Sequence, residues 1–213
     1  MTVDGEKRFT TNMLHRFGPK ESGSQSTVGD HDKVDELAAA ITKAWAECGI
    51  ALRPLIAGED DGEKEGHYVL VLVEFFYFFV HLTNRFALTF LGGEDGRRFI
   101  KNLSPLLIDY AVKICFAHFD ENYREHVRER LPVGIAEREA SYSEGTVRPP
   151  EQGVADNRVW IVTMLARHVN MKSGKPPRDP AIIREVIKAV VDQVEALNLE
   201  RQISTFKRTD RTM

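Results

Sequence analysis

Apolar side chains recur at helical spacing along most of the chain. Val34, Leu37, Ala38, Ile41, Trp45 and Cys48 mark one face of a helix that the pattern starts near Asp32 and stops at Gly49. Phe99, Leu103, Leu106, Tyr110, Ile114 and Ala117 keep helical phase across Pro105, which predicts one helix to about Phe119, kinked at the proline or restarted there with Ser104 as cap. The charged stretch from Asp120 to Arg130, with Tyr123, Val127 and Leu131 on one side, predicts an exposed helix ended or bent at Pro132 and Gly134. Val159, Val162, Thr163, Ala166 and Val169 predict a further helix between Val154 and Met171. Ile183, Ile187, Val190, Val194 and Leu197 form the seam of a last one, from Pro180 to about Leu199.

The segment from Tyr68 to Leu91 breaks the amphipathic rule. It opens with strand-like Val69-Leu70-Val71-Leu72-Val73, but the apolar run continues through Phe75, Phe76, Phe78, Phe79 and Val80, far beyond a strand of about 5 to 6 residues. Length decides for helix. Six of the chain's 12 phenylalanines lie here, so the helix is apolar round most of its perimeter and must be wrapped by others. It is also long enough to cross a membrane at about 1.5 Å per residue. Glu74, His81 and Arg85 oppose that, since an ionisable group at mid-bilayer costs about 2.5 to 3.5 kcal/mol and a large apolar residue returns only about 0.3 to 0.6. A core helix is expected, not a membrane span.

Together these elements predict an all-α, single-domain bundle of about six helices around a central apolar helix. Residues 33–204 form the helical domain. Residues 1–32 are expected to be a flexible arm, in which Phe9, Met13 and Phe17 share one helical face, and residues 205–213 a basic tail. A length of 213 residues suits one domain, and 42% hydrophobic residues suffice for a core. Near-balanced charge, 29 Lys plus Arg against 32 Asp plus Glu, argues against a nucleic-acid coat. Met1 to Thr10 lacks the apolar run of a secretory signal, and Cys48 and Cys115 are two isolated cysteines, so a cytoplasmic, reduced protein is expected.

Motifs add little. The acidic stretch from Gly58 to Gly66 reads as a loop, but aligning Gly62 with the central glycine of a calcium loop puts Ala57 and Tyr68 where the anchoring carboxylates belong. Lys172-Ser173-Gly174-Lys175 lacks the upstream glycine of a phosphate loop and runs into two prolines. No metal site and no cofactor are expected. The one suggestive polar set lies on the apolar helix. Glu74, His81 and Arg85 fall within about 40° on a helical wheel, flanked by Tyr77 and Asn84. Glu74 and His81 stand two turns apart, about 10.5 Å along the axis, too far to bond each other. Such a stripe is expected to be a water-facing edge or a set of structural hydrogen bonds, and alternatively the polar wall of a pocket. Broad apolar faces without a coherent catalytic set favour a non-catalytic protein that self-associates or binds a protein partner. The alternative is a bundle that binds a small apolar ligand, metal-dependent or catalytic in variants of that reading, beside Glu74, Tyr77, His81, Asn84 and Arg85.

Overall fold

The computed structural model describes residues 30–56, 62–143 and 157–206, all of them helical or in short turns. Most of the expected arm, the first half of the acidic stretch and most of the basic tail lie outside the described residues. Six long helices and one short one follow in order: α1 Asp30–Ile56, α2 Gly62–Leu91, α3 Gly93–Cys115, α4 Glu121–Ser143, α5 Asn157–Lys172, α6 Pro180–Leu197 and α7 Leu199–Ser204. Among the described residues there is no strand. The chain is an all-α bundle.

Helix α2 is the rod at its centre. It packs against α1, α3, α4, α5 and α7, and Val71, Phe75, Phe76, Phe78, Phe79 and Val80 are all buried. Burying a Phe or Val side chain is worth about 1.5 to 3 kcal/mol, so this one helix supplies much of the apolar driving force. It is long and apolar enough to cross a membrane, yet 61% of its most apolar stretch is covered by the rest of the protein. Trp45 of α1 meets Phe76 edge-on at 6.0 Å between ring centres.

Several boundaries differ from those the pattern predicts. Gly49 does not stop α1, which runs on through buried Leu52 to Ile56. A Cβ at Gly49 would overlap the Leu72 side chain, so the glycine serves close approach of α1 to α2 and not termination. Helix α2 already begins at Gly62, making the second half of the acidic stretch helical. Helix α3 passes Pro105 without a restart, the proline being exposed, and ends at Cys115 instead of Phe119. Neither Pro132 nor Gly134 ends α4. Gly134 faces Tyr77, whose ring occupies the space a side chain would need.

The last helix of the pattern is α6, and a short helix the pattern does not give, α7, follows it. Asp179 caps α6, its carboxylate accepting from the Ala181 N–H at 2.8 Å with Pro180 in the first turn. Asn198, left-handed at φ 45°, ends α6 and caps α7. Between α2 and α3 the chain reverses at Gly92, φ 86°. Gly96 then lies so close that a Cβ would stand 2.8 Å from the Ala87 carbonyl oxygen.

Candidate functional site

Helix α4 is polar nearly all round, and only Leu131 and Tyr142 among its 23 residues are buried. Its apolar positions Leu131, Ile135 and Tyr142 continue as a seam through position 138, where an arginine stands. That arginine meets a carboxylate on the central helix. The Arg138 guanidinium donates to both oxygens of Glu74, Nε to Oε2 at 2.8 Å and Nη2 to Oε1 at 2.5 Å. The paired geometry raises the Arg138 pKa further, chiefly through these hydrogen bonds. Glu74 is 2% exposed, so the pair is nearly dry on its acidic side.

Adjacent Glu139 binds two residues of the same helix α2. Its Oε2 lies 2.5 Å from His81 Nδ1, and its Oε1 accepts from the Asn84 side-chain amide at 2.9 Å. An ionised carboxylate only accepts, so Nδ1 carries the proton toward Glu139 and Nε2 is left on the far side of the ring. His81 is 1% exposed, and Nε2 has no hydrogen-bond partner.

Two further side chains close around this point. Tyr142 is fully buried, its ring 4.9 Å from that of His81, 5.7 Å from that of His168 and edge-on to Phe78 at 6.2 Å. Burial first, then the charge of Glu74, pushes its hydroxyl pKa well up, so it stays a neutral phenol. His168, from α5, places Nδ1 3.8 Å from Glu74 Oε2, within charge attraction but beyond hydrogen-bond length. Burial lowers the His168 pKa, with Glu74 pulling the other way, so the ring is neutral at pH 7. Both the Tyr142 hydroxyl and His168 Nδ1 lack a hydrogen-bond partner.

Of the five residues singled out by pattern, the fold gathers four. Glu74 and His81 are buried, not at a water-facing edge. Asn84 joins them through Glu139, and Tyr77 borders the cluster beneath Arg138, its pKa raised to about 12 by burial and then by Glu74. Arg85 does not join. It is exposed, although the wheel places it on the same face, because α2 shows water beyond His81 at that angle. Arg138, Glu139 and Tyr142 were not singled out, and His168, beside Arg167 in an apolar helix, reads from sequence as a satisfied core or boundary histidine. Arg138 on the apolar seam of α4 is the signal that points to them.

Among the described residues no three His, Cys, Asp or Glu side chains are gathered to hold a metal ion. Glu74 is engaged by Arg138, and Glu139 by His81 and Asn84, which leaves no carboxylate of the cluster uncommitted. A pocket of 240 Å³ lies elsewhere, between α1 and α6, lined by residues including Glu47, Ile50, Glu185, Lys188 and Asp192. Both cysteines are buried, with pKa values pushed up by burial, which makes them inert thiols. Comparison with family models, curated proteins and solved structures finds no match for this chain, so the reading rests on its own residues.

Proposed function

We propose that the protein binds a small ligand inside the bundle, between α2, α4 and α5, at the point where His81, Tyr142 and His168 meet. One observation supports this above the rest. Three polar atoms without a hydrogen-bond partner, His81 Nε2, Tyr142 Oη and His168 Nδ1, belong to side chains whose rings pack in one buried cluster. Buried polar atoms are nearly always hydrogen-bonded, and each orphan costs about 1 to 3 kcal/mol, so a cluster of three marks a place where something else completes the bonding. The ligand would hydrogen-bond Nε2, on the side of the ring away from Glu139, and accept from the Tyr142 hydroxyl. Phe78 and the rings of Tyr142, His81 and His168 suit a flat apolar body. A small aromatic or aliphatic molecule with one hydroxyl or N–H fits that description.

Thermal unfolding with phenol and with toluene, matched except for the hydroxyl, tests it. Phenol is expected to raise Tm more than toluene, and the difference to vanish in His81→Phe and Tyr142→Phe. Equal shifts for both probes, together with native mass spectrometry finding no small molecule retained after purification, would refute the reading.

Self-association is the second reading, favoured by Ile187 and Val191, two large apolar side chains 40% and 42% exposed one turn apart on α6. Light scattering of the native chain and of Ile187→Asp tests it. A monomer in both cases removes it.

A further inference from the structure

The site proposed above is buried, so a ligand reaches it only if a wall moves. Helices α3 and α4 are both 23 residues long, yet α3 buries eight of them and α4 two. Apolar burial is the main force that docks a helix, and α4 has little of it. Beside the buried Leu131 and Tyr142, its attachment to the central helix is polar: Arg138 on Glu74, and Glu139 on His81 and Asn84. On the α3 side it is held by Arg128, which donates to Asp109 at 3.0 Å, a pair in which both side chains are a third or more exposed. The non-helical turn at residues 116–120 precedes it.

We infer that α4 is a lid over the His81–Tyr142–His168 site, latched by the Arg138–Glu74 and Glu139–His81–Asn84 bonds and hinged at residues 116–120. This rests on the ligand reading only for what the lid admits. When α4 lifts, Glu139 and Tyr142 leave with it, while His81 and His168 remain on α2 and α5. Closure therefore does two things at once. It delivers the carboxylate that orients the His81 ring through Nδ1, and it adds the Tyr142 hydroxyl. Polar latches suit this task because water takes over their hydrogen bonds when they part, whereas an apolar seam would be exposed at full cost.

Hydrogen exchange of the full chain, followed by mass spectrometry, tests the lid without any ligand. Amides of 121–143 are expected to exchange by local opening at least about 100-fold faster than those of 71–80 in α2. Glu139→Gln, which weakens charge-assisted bonds, is expected to speed α4 exchange about tenfold and to leave 71–80 unchanged. Exchange of α4 and α2 at one common rate would overturn the lid, as would a Glu139→Gln effect spread equally over the molecule. The native-chain comparison stands even if the variant folds poorly. Added phenol reads the other proposal separately: fast α4 opening that phenol does not slow leaves the lid intact and counts against the ligand.

Discussion

Replacing Tyr142 by Phe deletes one oxygen and keeps the ring contacts with Phe78, His81 and His168. In an ordinary core that change loses a hydrogen bond and costs about 1 kcal/mol. Here the oxygen is fully buried without a partner, so the native chain already bears its desolvation, which is worth about 1 to 3 kcal/mol. Tyr142→Phe is therefore expected to stabilise the ligand-free protein, by about 1 kcal/mol once incomplete relief is allowed for. In a chain of this size that is about 2 to 4 °C in Tm. Urea titration followed by circular dichroism is the direct assay, with the midpoint rising at constant slope. Any ligand carried through purification must first be removed, because it would bond the hydroxyl and reverse the sign. A loss of 1 kcal/mol or more in the stripped protein would mean that the hydroxyl is bonded in solution. The Tyr142 hydroxyl would then no longer be an orphaned atom that a ligand must complete. A gain in stability with a loss of phenol binding is the opposite pairing, and it is what a site held at some expense to the fold produces.

Arg138→Met should destabilise by about 3 kcal/mol, the low end for a broken buried pair because Arg138 is 24% exposed, and Glu74→Leu in the same chain should restore most of it, read by a double-mutant cycle in urea. His168 has a folded pKa below its unfolded value near 6.5, so protons bind the unfolded chain first. Stability is thus full above about pH 6.5 and falls as pH drops through that value toward the lower folded pKa, a slope that His168→Phe should flatten in Tm against pH. Gly96→Ala should destabilise by about 1 to 3 kcal/mol, against its helix propensity, because the new methyl meets the Ala87 carbonyl; an unchanged or raised Tm would show that α3 can move aside.

How much was legible depends on the range of the signal. The run from Val69 to Val80 announced a helix by its length, and Glu74, His81 and Arg85 turned the choice from a membrane span to a buried core helix. The seams of α1 and α6 were equally plain. Glycines were harder. Gly49 and Gly134 look like helix stops, and each proved to be a place where another side chain, Leu72 or Tyr77, presses against the backbone. Nothing local distinguishes those two uses. Asn170 is a similar case: its side-chain oxygen accepts from the Arg178 and Asp179 backbone N–H groups and ties down the turn before α6, a task no spacing reveals.

The sequence by itself determined that the chain is helical, which helix is central, and that Glu74 and His81 share a face of it, because helical period and apolar content act between residues a few positions apart. Tertiary structure alone decided what those two face. Arg138 is 64 residues from Glu74 and Glu139 is 58 from His81, and their meeting depends on where the sparsely apolar α4 comes to rest. A charged side chain looks the same in sequence whether it points to water or to a buried opposite charge. Only the docked position of α4 removes the water, and with it the difference between a solvated edge and a polar site inside the fold.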